Sequence, residues 1–282
     1  MIKIVIPTDF SENALNAAKY ALELFKYFKC EVFIVHAFAD EIYEEKAIRE
    51  KTAFEEVKSK TRKASDKALE SFRTDVINIF HNPKHSIQTV SVFGSLVDVV
   101  NDLVEKENMD LVAMGTKGKT NNKKITFGSN TLQVIKYVKS PVLAVPASYR
   151  DILPKNLLFA SDYMLPYKQR ELKLIGDMAE RITASIKCLH FAKYDKLSKR
   201  QQDNKKLLEL AFAKIKASFL QVIGKDITTS INQFLEENPT DMLIMVNSRH
   251  SYLENILYTS AIEKIGLNIR IPFLVLQNLQ RY

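Results

Sequence analysis

Short apolar runs recur along the chain in one order, twice over, and such internal repeats decide the architecture before any single residue does. The first run ends in a hydroxyl residue, an Asp and an aromatic: Val5-Ile6-Pro7-Thr8-Asp9-Phe10, and again Leu158-Phe159-Ala160-Ser161-Asp162-Tyr163. The second carries a His: Val32-Phe33-Ile34-Val35-His36, and Ile186-Lys187-Cys188-Leu189-His190. The third follows an Asp: Asp110-Leu111-Val112-Ala113-Met114, and Asp241-Met242-Leu243-Ile244-Met245. The fourth opens on a Pro: Pro141-Val142-Leu143-Ala144-Val145, and Pro272-Phe273-Leu274-Val275-Leu276.

Between these runs the period changes from strand to helix. Asn13 to Phe28 places Ala14, Ala17, Ala18, Ala21, Leu22 and Phe25 near a 3.6-residue repeat, and Leu96 to Glu107 does so with Val97, Val100, Leu103 and Val104. Strands that are apolar throughout and alternate with helices predict a parallel sheet covered on both faces. Ligands of such sheets sit beyond the carboxyl ends of the strands, which directs attention to the loops after Ile6, Val35 and Met114. The fold class expected is α/β: two open parallel-sheet domains in tandem, residues 1–147 and 154–282, with 148–153 as linker.

The copies are unequal in length. The first has a long helical stretch and a strand, Thr89 to Phe93, closed by Gly94-Ser95. The second is shorter between His190 and Asp241, its counterpart strand is placed at Asp226 to Ser230, and it is expected to have lost part of the sheet edge and the following loop.

Glycine is scarce, seven in the chain, yet three follow the third run at once: Gly115-Thr116-Lys117-Gly118, nine residues, then Gly128-Ser129-Asn130-Thr131 and a helical pattern from Leu132 to Tyr137. Glycines let backbone amides approach an anion and adopt left-handed angles. A helix opened at Ser129 and Asn130 offers its free amides and dipole to a phosphate, and the Ser129 hydroxyl can donate as well. The plain alternative is a turn followed by a serine-capped helix. Gly118-Lys119-Thr120 looks like the tail of a Walker A motif, but Ala113 stands where that motif needs Gly and Asn121-Asn122 follows where it needs a helix.

The spacing G-x-x-G, nine residues, G-S resembles the nucleotide-binding signature of the universal stress protein family, ATP-binding type. The strand ends Thr8-Asp9 and Val35-His36-Ala37 and the closing Ser140-Pro141-Val142-Leu143 resemble it too. The resemblance covers residues 1–147 nearly end to end and holds in the second half at the four recurring runs. It implies an adenine nucleotide alpha hydrolase-like, Rossmann-like fold, and an internal pseudo-dimer formed through the last strand of each half. It implies ATP, or ADP or AMP, as ligand, with or without Mg. Thr8 and Asp9 would lie near ribose or phosphates, Val35 would meet adenine through its backbone, and Met114 would border base or ribose. Gly115, Gly118, Gly128, Ser129 and Asn130 would surround the phosphates, with Lys117 offsetting their charge or simply solvated. Asp9 or Ser11 also suits a helix cap, and Asp9 is the one candidate near a metal. His36 is expected to be packed and hydrogen-bonded. The second half has Val246-Asn247-Ser248-Arg249-His250 without glycine, and Tyr258-Thr259-Ser260 near the place of Gly128-Ser129-Asn130, so no ATP site is expected there.

Composition narrows the classes. With 282 residues, 46% hydrophobic and 26% charged, each half can bury a core of its own. The net charge of +8 raises nucleic acid as a partner, but basic residues are spread out apart from Lys117, Lys119, Lys123 and Lys124 and the run from Lys193 to Lys206, without aromatic interleaving; none is expected. Cys30 and Cys188 are too few for a disulfide framework and read as buried thiols. No segment is long enough to span a membrane, Met1 to Pro7 lacks the plan of a signal peptide, and a cytoplasmic location is expected. No triad, HExxH, CxxC or G-x-S-x-G occurs, and His81 and His85 flank a polar turn, Asn82-Pro83-Lys84. Binding is therefore favoured over turnover: a stress-response module governed by nucleotide, with a slow ATP hydrolase, or an interaction protein that has lost the nucleotide, as alternatives. A dimer of chains stays open.

Overall fold

A computed structural model describes residues 1–43, 51–117, 127–149, 153–192, 196–223, 227–247 and 270–278. Gly118, Lys119, Lys123, Lys124, Ser248 to His250 and Tyr258 to Ser260 lie outside them. The first half runs β1 (Ile2–Pro7), α1 (Glu12–Leu24), β2 (Cys30–Ala37), α2 (Ala39–Tyr43), α3 (Lys51–Ile79), β3 (His85–Val92), α4 (Leu96–Lys106), β4 (Leu111–Gly115), α5 (Ser129–Tyr137) and β5 (Val142–Val145). The second runs β6 (Asn156–Ser161), α6 (Gln169–Ile182), β7 (Ser185–Ala192), α7 (Lys199–Ala211), β8 (Lys216–Ile223), α8 (Ile227–Glu237), β9 (Met242–Asn247) and β10 (Phe273–Gln277).

All the described strands join one sheet in the order β3-β2-β1-β4-β5-β10-β9-β6-β7-β8. Neighbours within each half are parallel; β5 and β10 pair antiparallel, with Leu143 opposite Leu274. Successive strand residues face opposite sides, so Ile4 and Ile6 enter one core and Val5 the other. The first core lies under α1, α3, α6 and α7, the second under α4, α5 and α8, and both continue across the β5/β10 seam. α1 owes its close approach to the sheet to Ala17, Ala18 and Ala21, all fully buried.

Three expectations need correction. α1 ends at Leu24 rather than Phe28: the Phe25 amide caps it on the Ala21 carbonyl, and Phe25 and Phe28 pack edge to face in the turn toward β2. β3 spans His85–Val92, not Thr89–Phe93, because Ser86 and Gln88 point to solvent and made half of an edge strand look like a turn. The second half keeps its sheet edge. β8 pairs with β7 along eight residues, while 227–230, expected as strand, open α8. Lys216, Ser218 and Leu220 are exposed in alternation, a polar edge pattern that conceals the strand. The length difference lies in the helices, α3 having 29 residues and α7 13.

Candidate functional site

The repeated hydroxyl-Asp-aromatic sequence builds the same turn in both halves. The Thr8 Oγ1 accepts from the Phe10 amide at 2.9 Å, and the Ser161 Oγ from the Tyr163 amide at 3.0 Å. Both aromatics adopt left-handed backbone angles, φ 63° at Phe10 and 56° at Tyr163, a region that non-glycine residues seldom occupy. Each lays its ring on the His of the next strand, with centroids 4.5 Å apart for Phe10 and His36 and 4.7 Å for Tyr163 and His190. Packing against histidine joins the Thr8 and Ser161 side-chain bonds in holding the turn.

His36 is packed and hydrogen-bonded, as its sequence context suggested. Its Nδ1 lies 2.8 Å from the Ser65 hydroxyl on α3, its Nε2 3.1 Å from Glu41 on α2, and Ser65 reaches Ser91 on β3 at 2.7 Å. This chain, buried at His36 and Ser65 and open to solvent at Glu41, ties four elements together at the carboxyl end of β2. Ser65 and Glu41 carried no sequence signal, being polar residues in polar helical stretches.

Asp9 stands beside the start of α1. Its Oδ1 accepts from the Ser11 amide at 3.1 Å and the Ser11 hydroxyl at 2.6 Å, while Ser11 caps α1 through the Ala14 amide. Ser11, rather than Asp9, is therefore the cap. Val35 lies inside β2, fully buried, its carbonyl accepting from the Thr8 amide at 2.9 Å. The strand runs on to Ala37, which is half-buried, so the strand end falls two residues beyond the position predicted to meet a base.

The glycine segment is fastened by its carbonyls. Those of Gly115, Thr116 and Lys117 accept, respectively, from the Thr131 hydroxyl at 3.0 Å, the Gly128 amide at 2.8 Å and the Asn13 side-chain amide at 3.4 Å. The Gly128 bond draws the start of α5 onto the end of β4. Gly128 is the N-cap of α5, no side chain caps that helix, and Ser129 and Asn130 are exposed in its first turn. At Gly115 a Cβ would lie 3.2 Å from the Asn13 carbonyl oxygen, tighter than an ordinary contact, so the backbones approach closely there. None of the described glycines has positive φ, so Gly115 and Gly128 do not use the left-handed freedom of glycine. Met114 is buried, Lys117 half-buried. Thr8, Asp9, Met114 to Lys117 and Gly128 to Asn130 thus belong to neighbouring strand ends and helix starts. Asn13, Thr116 and Thr131, which fasten them, had not been singled out.

The second half differs at each of these points. The paired registers of β4 with β5 and β9 with β10 set Val246 where Gly115 stands and Asn247 where Thr116 stands. Asn247 is buried and turns to the other half, its Nδ2 donating to the Ile135 carbonyl at 3.0 Å and to Gln277 Oε1 at 2.9 Å. Burial raises the Asp162 carboxyl above its usual range, and burial lowers His190 although the Ser161 carbonyl opposes that. Gln201 and Asn204 of α7 hold the Asp162 and Tyr163 carbonyls at 2.9 and 2.7 Å, drawing α7 over the turn. Among the described residues no group of three or more His, Cys, Asp or Glu is placed to hold a metal ion, and no helix is long and apolar enough to cross a membrane.

The model of the universal stress protein family matches residues 1–146. One universal stress protein of Methanocaldococcus jannaschii is 30% identical over 143 residues, covering 51% of this chain and 81% of the relative. A second from the same organism is 29% identical over 161 residues, covering 51% and 93%. The crystal structure of a universal stress protein from Archaeoglobus fulgidus shares the fold along nearly the whole chain, with TM-score 0.63 at 17% identity, covering 98% of this chain and 96% of the other.

Proposed function

The chain belongs to the universal stress protein family, and from that premise we propose that its first half binds an adenine nucleotide, ATP or its ADP or AMP products, as a regulatory module. The observation that carries the reading is the Gly128 amide bond to the Thr116 carbonyl. It sets the uncapped start of α5 against the end of β4, and free amides at a helix start favour phosphate. The tight approach of Asn13 at Gly115 keeps side chains out of the same crevice. In the second half Val246 stands in place of Gly115 and the Asn247 side chain is turned to the other half, so the reading assigns nucleotide to the first half alone. The two halves, joined through β5 and β10, then act as an internal pseudo-dimer in which one half is the nucleotide-bearing partner.

Magnesium fits this site only as a companion of the phosphates. Mg²⁺ is commonly held by one or two carboxylates with phosphate oxygens and water, and Asp9 supplies one carboxylate, already engaged by Ser11. That engagement favours positioning over hydrolysis.

The test is thermal unfolding of the full chain with and without Mg-ATP, beside Ser129→Asp. An acidic residue in a first helical turn leaves α5 stable but repels phosphate. At about a hundredfold excess over Kd, ligand adds about 2.7 kcal/mol, or a shift of several degrees. The shift is expected in the native chain and absent in the variant. No shift in nucleotide-free protein, or an equal shift in Ser129→Asp, would remove the site.

A further inference from the structure

The segment that leaves β5 is fastened to both halves. At its start Thr116 holds two neighbours: its amide donates to the Val145 carbonyl at 2.9 Å, and its carbonyl accepts from the Gly128 amide at 2.8 Å. Val145 ends β5, and Gly128 is the N-cap of α5. The end of β5 and the start of α5 are thus fixed to one residue of the glycine segment.

Residues 146–149 then turn back over α1. Pro146 is buried, and its carbonyl accepts from the Tyr149 amide at 3.0 Å. Asn16 Nδ2 donates to both carbonyls of that turn, Pro146 at 3.3 Å and Tyr149 at 3.2 Å. Three residues earlier in α1, Asn13 Nδ2 donates to the Lys117 carbonyl at 3.4 Å, so one face of the helix holds the glycine segment and the turn together. The Tyr149 ring meets the buried Tyr20 edge to face, with centroids 5.7 Å apart.

Beyond the turn the contacts pass into the second half. The Tyr149 hydroxyl donates to the Asp241 carbonyl at 3.4 Å. Asp241 precedes β9 and fastens the start of β6. Its Oδ2 accepts from the amides of Lys155 and Asn156, each at 2.8 Å, and from Asn156 Nδ2 at 3.2 Å. Its own amide donates to the Asn156 carbonyl at 2.8 Å. A continuous row of contacts therefore runs from Gly128 through Thr116, the 146–149 turn and Asp241 to β6.

We propose that residues 146–149 form a strap that opens and closes as one piece, so that a nucleotide held in the first half also secures the start of β6 in the second. The inference rests on the nucleotide reading above and adds where binding is felt. An open strap loosens Val145 from Thr116, and with it the hold of Thr116 on the start of α5, where the phosphates lie. Nucleotide then favours the closed strap, and it shifts the equilibrium by its difference in affinity for the two states. A ligand that binds only the closed state slows exchange of every amide that the opening exposes. The amides of Lys155 and Asn156 report the far end of the row.

The experiment is hydrogen exchange at those two amides in the full chain, with and without Mg-ATP, with titration calorimetry on the same samples to read nucleotide binding. Exchange at both is expected to slow by about fivefold or more, the ordinary size of coupling between two sites. In Asn16→Ala, which releases both carbonyls of the turn, Mg-ATP is expected to bind still and the slowing to vanish. Should that variant fail to fold, Tyr149→Phe, which keeps the ring and removes the hydroxyl from the Asp241 carbonyl, makes the same comparison. Binding of Mg-ATP to the native chain with exchange unchanged overturns the strap and leaves the nucleotide reading standing. Slowing that persists undiminished in a folded variant also overturns it, since the effect then reaches β6 by another route. No binding at all removes the nucleotide reading and the strap with it.

Discussion

Histidines packed at strand ends set a pH dependence. Burial depresses His190 and His85 below their ordinary 6.5, the backbone carbonyls of Ser161 and Phe25 opposing it in part. The fold therefore prefers both neutral, and unfolding takes up protons. Their contribution is complete above the unfolded value and is lost as pH falls below it through the folded one. Asp162 acts in the opposite sense, since burial raises it above 3.8 and its contribution is lost as pH rises through that raised value. Tm is expected to fall between about pH 7 and pH 5, and His190→Gln to flatten that slope while lowering Tm throughout. An unchanged slope in the variant would exclude His190 as a source. The thiols give a second prediction at this scale. Burial pushes Cys30 and Cys188 up to about 12, so neither is expected to react with a disulfide reagent at pH 8 until the chain unfolds.

α5 joins the halves from end to end. Its start faces the proposed phosphate site, and its last carbonyls receive the second half's amides: Gln277 Nε2 to Ile135 at 2.8 Å and Asn247 Nδ2 to Ile135 at 3.0 Å. Both amides are buried, with an Asn247–Gln277 bond of 2.9 Å between them. Removing one partner leaves a buried polar group unsatisfied, at a cost of about 1–3 kcal/mol. Gln277→Leu and Asn247→Leu are each expected to destabilise by about that amount in urea unfolding. Together they should cost less than the sum, because the second change removes a group that the first has already orphaned. Strict additivity would show that the two amides act independently.

At the scale of the molecule, the β5/β10 seam covers two apolar strand edges, Val142 to Ala144 meeting Phe273 to Val275. Such an edge left open recruits another strand. Residues 1–147 alone are therefore expected to associate through β5, giving a dimer in light scattering whose population rises with concentration. A monomer at all concentrations would mean that the seam needs the rest of the second half.

The internal repeat, the alternation of strands with helices and the glycine spacing were legible in the sequence because each depends on local pattern: apolar runs that must be buried on both faces, and glycines clustered in a chain that has few. The parallel sense of pairing within each half followed from the same patterns, whereas the pairing of the last strands was implied only by the family resemblance, and its antiparallel sense came from the structure. The edge strands β3 and β8 were misplaced because half of their residues face water and lose the apolar signal. Left-handed Phe10 and Tyr163 were invisible, since the histidine rings that pack on them come from the neighbouring strands. The Ser65–His36–Glu41 chain, the amides that Asn247 and Gln277 send across the seam, and the contacts of Asn16 and Tyr149 join residues far apart in the chain. Such groups have no spacing to read, and only the closing of the two halves on one sheet brings them together.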